Sequence, residues 1–274
     1  MAQLPINTRP TPYDDLNAVL VAFVTDMQAI LGDAFTGAYL HGSFAIGDAD
    51  EHSDVDFLVA TERDLADAEV ATLQAMHGRI YARPEPWAQH LEGSYIARDA
   101  LRRCEPTSAP PVYVDNGSTT LIRSHHNNDL VMRWTVHERG VTLAGPPPQH
   151  LIDPVATDDL RQEVRGVMRD WGAQLRADHQ QLNTRWYQPF AVLSYCRMLH
   201  TLHTGAIGSK RAGAEWAQQA LDPRWAGLIQ RAWDERPNPS EKVRQPADPA
   251  DLASTLEFIG YALDLASTIR QSES

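Results

Sequence analysis

Two carboxylates alternating along an apolar run constrain this chain more than any other feature. They stand in Ser53-Asp54-Val55-Asp56-Phe57-Leu58-Val59, and Tyr39-Leu40-His41-Gly42-Ser43 precedes them by about a dozen positions. In a strand, side chains two apart point the same way, so Asp54 and Asp56 share one face while Val55 and Phe57 anchor the other. Paired carboxylates at a strand end suit a hard cation. Magnesium takes oxygen ligands, commonly one or two protein carboxylates, with substrate phosphates and water filling the rest of its octahedron. The Gly42-Ser43 pair adds a backbone that allows close approach and a hydroxyl suited to a phosphate oxygen, and Ser53 offers a second hydroxyl beside the first aspartate.

Composition narrows the partners. With 274 residues, 43% hydrophobic, the chain can bury one large core or two moderate ones, and two domains are expected. A formal net charge of -12 without any Lys/Arg run disfavours a nucleic-acid partner and suits a small cationic one. Cys104 and Cys196 are too few for a disulfide framework and lack the paired spacing of a zinc site. Met1 to Asp15 has no apolar stretch of signal type, and no segment reads as a bilayer span, so no membrane partner and a cytoplasmic location are expected. Nothing sets an oligomeric state, and a monomer is the default.

Along the chain, helical spacing from Tyr13 to Leu31 ends at Gly32, and a strand then leads into the Gly-Ser turn. A loop from Gly47 to His52, a strand from Val55 to Ala60, a helix from Asp64 to Tyr81 and a strand from Ala88 to Ile96 follow. In that last strand His90, Glu92 and Ser94 share a face. Prolines 106, 110 and 111 suggest an extended excursion from Glu105 to Asn116, and Asn128 to Arg139 reads as a helix. Past Gly145-Pro146-Pro147-Pro148 the pattern turns helical, with candidates from Asp158 to His179, Gln188 to Thr204, Ser209 to Ala220, Trp225 to Glu235 and Pro249 to Arg270. Arg236 to Pro249 reads as a long loop. The expected fold is α+β, a small mixed sheet with helices over residues 1–156, followed by an all-α bundle over 157–274.

The Gly-Ser turn and the spaced aspartates resemble the signature of the nucleotidyltransferase superfamily, which implies transfer of a nucleoside monophosphate from a triphosphate with two magnesium ions. A third carboxylate from a neighbouring strand is then expected as general base, and Glu92 is the best placed, with Glu85 and Glu105 as weaker rivals in proline-rich surroundings.

Over nearly its whole length the chain is similar to the aminoglycoside adenylyltransferases that modify streptomycin and spectinomycin. The resemblance rests on Leu40-His41-Gly42-Ser43, Ser53 to Val59, Leu91-Glu92-Gly93-Ser94-Tyr95, Asn128-Asp129-Leu130, Leu143-Ala144-Gly145-Pro146 and Leu151-Ile152-Asp153-Pro154-Val155. It continues through Val192-Leu193-Ser194-Tyr195-Cys196-Arg197, Thr204 to Lys210 and Glu215-Trp216-Ala217. It implies ATP as co-substrate, magnesium on Asp54 and Asp56, Glu92 as base, and Gly42, Ser43, Ser53 and Asp129 at the nucleotide. It further implies Arg197 and Lys210 on triphosphate oxygens and Trp233 beside the nucleotide. One departure stands out: where the family places acidic side chains for the cationic antibiotic, Asn183 to Phe190 contains none. Three readings follow: an aminoglycoside adenylyltransferase, an adenylyltransferase for another small molecule or a protein, and a nucleotide-binding protein without turnover.

Overall fold

The structure, a computed structural model, describes residues 3–104, 109–236 and 242–269. The chain divides into two compact units, Met1–Val155 and Ala156–Ser274.

Unit 1 is built on a six-stranded sheet. Its strands are β1 (Phe35–Leu40), β2 (Val55–Thr61), β3 (Leu91–Ala97), β4 (Val112–Val114), β5 (Leu121–Arg123) and β6 (Val141–Ala144), in the order β5-β4-β3-β2-β1-β6. Only β2 and β3 pair in parallel, because the helix α3 (Asp67–Tyr81) crosses over between them; the remaining neighbours are antiparallel. Alternation along β2 decides what faces where. Val55, Phe57 and Val59 join the core under α3 and the N-terminal helix α1 (Asp14–Leu31), whereas Leu58 and Ala60 join a second cluster with Met132 and Val136. Asp54 and Asp56 continue the Leu58 and Ala60 row, and the same count on β3 sets Glu92 in line with Ile96.

The helix α1 is long and apolar enough by composition to cross a membrane, which the sequence reading overlooked. Its stripe of Leu16, Val19, Phe23, Val24 and Met27 is completely buried against the sheet. Each such side chain contributes about 1.5–3 kcal/mol by leaving water, so the apolar face is explained by the core.

Elsewhere on this unit the structure departs from the sequence reading in local detail. The Gly-Ser turn opens a one-turn helix, α2 (Gly42–Ile46), ended by Gly47 at φ +83°. Residues 86–89 form a 3-10 turn, so His90 lies outside β3 and only Glu92 and Ser94 keep the shared face. The proline-bearing excursion contains β4, with residues 105–108, including Glu105, outside the described set. Strands β5 and β6 had no sequence expectation; they are three and four residues long, too short to display a period. After β3 comes the short α4 (Arg98–Arg102), and α5 (Leu130–Arg139) precedes β6.

In unit 2 the described helices are α6 (Thr157–Ala177), α7 (Tyr187–Thr204), α8 (Lys210–Ala220), α9 (Ala226–Glu235) and α10 (Pro249–Thr268). The central α7 buries residues on most of its circumference, from Ala191 to Leu202, and is therefore enclosed by the other four. Asp248 caps α10 through the Ala250 amide with Pro249 at the first helical position. Of the expected loop after Arg236, residues 237–241 lie outside the described set.

Candidate active site

At the end of β1, His41 takes up extended backbone and Gly42 turns at φ +56°. A Cβ added to Gly42 would stand 1.9 Å from Asp56 Oδ2, so the Asp56 carboxylate lies directly against the Gly42 backbone. This is the one position in the turn where glycine is required twice over, by its dihedral and by its neighbour. The His41 amide also donates to the Asp56 carbonyl, fixing the end of β1 beside β2.

Asp54 sits one residue before β2, and its Oδ1 accepts a 2.5 Å hydrogen bond from the Asn116 amide. The Asn116 carbonyl oxygen in turn lies 3.2 Å from His90 Nδ1. Parallel pairing puts Asp56 opposite Glu92, on the face both share. Two polar atoms beside this carboxylate row are buried and find no hydrogen-bond partner among the described residues: His41 Nε2 and Ser43 Oγ. A buried polar atom left unpaired costs about 1–3 kcal/mol, so both atoms keep capacity for one further hydrogen bond. Ser53 differs: its hydroxyl donates to Asp50 Oδ1 and accepts from the Asp50 amide, knitting the loop before Asp54.

Glu92 has a side chain only 13% exposed. Its Oε1 accepts from Tyr113 at 2.7 Å and Asn127 at 3.1 Å and lies 3.4 Å from His126 Nε2. Burial pushes the Glu92 carboxyl up, but the hydrogen bonds from His126 and Tyr113 outweigh it and hold the group below the usual glutamate range. Glu92 is therefore ionised at neutral pH. Asp129 caps α5 through the Met132 amide at 2.7 Å. One turn on, the fully buried Arg133 donates to the carbonyls of Ala100, Leu101 and Asp129 and to Asn128 Oδ1, which locks the entry to that helix.

Arg197, Lys210 and Trp233 belong to unit 2. Lys210 opens α8 with Nζ 5.1 Å from the Phe190 ring, and Gly213 one turn later abuts the Arg197 backbone on α7. Trp233 on α9 has the guanidinium groups of Arg211 and Arg236 over its ring at 5.4 and 5.1 Å. The acid-free segment also lies in this unit. Arg185 forms a forked pair with Glu235 at 2.5 and 3.1 Å, beside a 380 Å³ cavity that Asp248 and Asp251 also line.

Sequence reasoning missed His41, Tyr113, Asn116, His126 and Asn127. His41, inside Leu40-His41-Gly42-Ser43, and Asn127, beside Asn128-Asp129-Leu130, carried a usable hint; Tyr113, Asn116 and His126 come from a short strand and from turns without a readable period.

The residues present fit a magnesium ion. Asp54 and Asp56 supply two carboxylates, and among the described residues no group of three or more His, Cys, Asp or Glu is placed to hold an ion. That is the donor set of a cation completed by substrate oxygens, and it is unlike a closed protein cage.

Residues 25–94 match the nucleotidyltransferase domain family and residues 150–259 the family described as aminoglycoside adenylyltransferase, C-terminal domain. The chain therefore joins a nucleotidyltransferase domain to an aminoglycoside adenylyltransferase C-terminal domain. It is thus a nucleotidyltransferase by class. Spectinomycin 9-adenylyltransferase of Staphylococcus aureus is 24% identical over 219 residues, covering 74% of this chain and 78% of that protein. Aminoglycoside (3'') (9) adenylyltransferase of Klebsiella pneumoniae is 21% identical over 275 residues, covering 89% and 95%. The crystal structure of spectinomycin adenyltransferase AAD(9) from Enterococcus faecialis with ATP and spectinomycin matches with a TM-score of 0.64 at 15% identity, over 92% of this chain and 99% of that one. At that identity the likeness speaks for the fold, the mixed sheet followed by helices.

Proposed function

We propose that this protein transfers AMP from ATP to a hydroxyl of an aminoglycoside-type acceptor, in a magnesium-dependent reaction that releases pyrophosphate. The observation that supports it best is the alignment of Asp56 with Glu92 across β2 and β3, with Gly42 pressed on the Asp56 carboxylate. In this reading Asp54 and Asp56 hold the magnesium, which when bound would neutralise phosphate charge and lower the barrier to deprotonating the acceptor. Glu92 takes the hydroxyl proton. The acceptor oxygen forms a bond to the α-phosphorus, the bond from that phosphorus to the bridging oxygen breaks, and pyrophosphate leaves with the electron pair.

Among the described residues of unit 1, Ser43 Oγ and His41 Nε2 are the buried side-chain polar atoms without a hydrogen-bond partner, and the reading gives them phosphate oxygens. Ser53 and Asp129 hold the loops that carry Asp54 and precede α5. Arg197 and Lys210 are assigned to the triphosphate and Trp233 to the nucleotide, on the family resemblance. Glu92→Gln tests the core of the proposal: pyrophosphate release in the presence of ATP, magnesium and spectinomycin should be lost while ATP binding persists. Wild-type turnover in that variant would remove Glu92 from the base role.

A second reading, the same transfer to a different acceptor, is favoured by one observation. The stretch 183–190 has no carboxylate, and the nearby Glu235 and Asp251 are engaged by Arg185, Lys242 and Arg231. Pairing a multiply charged drug there would mean breaking those contacts. Magnesium-dependent turnover that fails with every aminoglycoside and succeeds with a neutral hydroxyl compound would select this reading.

A further inference from the structure

The three groups that meet Glu92 all meet the same oxygen. Tyr113 Oη, Asn127 Nδ2 and His126 Nε2 converge on Oε1 at 2.7, 3.1 and 3.4 Å, while no described residue donates to Oε2. Resting on the reading of Glu92 as general base, we propose that Tyr113, Asn127 and His126 are positioning residues that commit Oε1 and turn Oε2 alone toward the acceptor hydroxyl.

Each member is held by structure of its own. Tyr113 is buried on β4 opposite Ser94, one diagonal step from Glu92 across the antiparallel pair. Asn127 is the only non-glycine residue with positive φ among those described, at +52°. That conformation costs about 1–2 kcal/mol for most side chains, and asparagine tolerates it best. Inference runs from such an outlier toward function: an αL residue at this point aims its amide back at Glu92. The flanks keep it there. Ser94 Oγ donates to the His126 carbonyl at 3.3 Å, and Asn128 accepts from the buried Arg133.

Tyr113 also sets a limit. Its single phenolic hydrogen has two carboxylate oxygens in reach, Glu92 Oε1 and Asp115 Oδ1 at 2.8 Å. Asp115 on the exposed side therefore competes with Glu92 for the one donor. An amide in place of Asp115 would instead donate to the phenolic oxygen and release the hydrogen to Glu92.

Two substitutions should then move kcat in opposite directions with KM for ATP unchanged. Tyr113→Phe removes one of the donors that commit Oε1 and should lower kcat about tenfold with KM for ATP unchanged. Asp115→Asn should raise kcat, and the effect should shrink when Tyr113→Phe is also present. Asn127→Gly keeps the φ angle, deletes the amide and should reproduce the direction of Tyr113→Phe, so the test survives if one variant folds poorly. An unchanged kcat in folded Tyr113→Phe and Asn127→Gly proteins, with Glu92→Gln inactive, overturns the positioning role alone. Wild-type turnover in Glu92→Gln overturns the base reading and this inference with it.

Discussion

Replacing Gly42 by alanine separates what the turn does for stability from what it does for function. The new Cβ would stand 1.9 Å from Asp56 Oδ2 and 2.7 Å from its Cγ, and the φ of +56° disfavours any L side chain. Backbone strain of this kind costs about 1–2 kcal/mol. The clash itself is cheap for stability, since the atom struck is the end of a side chain that can swing aside. It is expensive for function, because that atom is the proposed metal ligand and must retreat by roughly 1.5 Å to reach an ordinary contact at 3.4 Å, a misplacement worth about 100-fold in rate. Gly47 provides the matched control: φ is +83° and an added Cβ meets nothing within 4 Å. Both alanine variants should lose a similar 1–2 kcal/mol by urea unfolding (order of magnitude), while only Gly42→Ala should lose about 100-fold in pyrophosphate release. Equal activities in the two variants, or wild-type turnover in Gly42→Ala, would refute the link between the turn and Asp56.

His77 gives a pH signature in the core of unit 1. Burial holds its pKa down at about 4, with Nε2 2.7 Å from the Tyr95 hydroxyl. The unfolded chain takes up this proton near the ordinary 6.5 and the folded one does not, so stability is full above that pH and is lost as the pH falls toward 4. Between pH 6.5 and 5 the loss should be about 2 kcal/mol by urea denaturation, and His77→Gln should remove this contribution to the slope; an unchanged slope would contradict it. Lys210→Ala should weaken ATP binding about 10-fold or more by calorimetry, as expected for losing a charge-assisted phosphate contact. Unchanged affinity would detach Lys210 from the triphosphate.

Much of the framework was legible because its elements are long and their periods clean. The α1 stripe, the alternation of Val55, Phe57 and Val59 and the helices of unit 2 all announce themselves in spacing. The strands β4, β5 and β6 did not, since three or four residues cannot establish a period and the prolines before β4 point toward a loop. The same divide runs through the candidate site. Asp54, Asp56 and Glu92 share a face by counting in twos, a local property. Their partners do not: Asn116, Tyr113 and Asn127 reach them across 62, 21 and 35 positions of chain. Contacts of that range depend on strand order and on one left-handed residue, and neither is written in spacing. His41 shows the converse, a residue whose place beside the turn was plain and whose unpaired Nε2 only the packing reveals.

The most direct measurement is mass spectrometry of spectinomycin and streptomycin after incubation with the protein, ATP and magnesium. A gain of one AMP on either compound, absent without magnesium and absent with Glu92→Gln, is the result expected of an aminoglycoside adenylyltransferase whose base is Glu92. Unmodified compounds across an aminoglycoside panel, from protein that still binds ATP, would contradict the assignment of the acceptor.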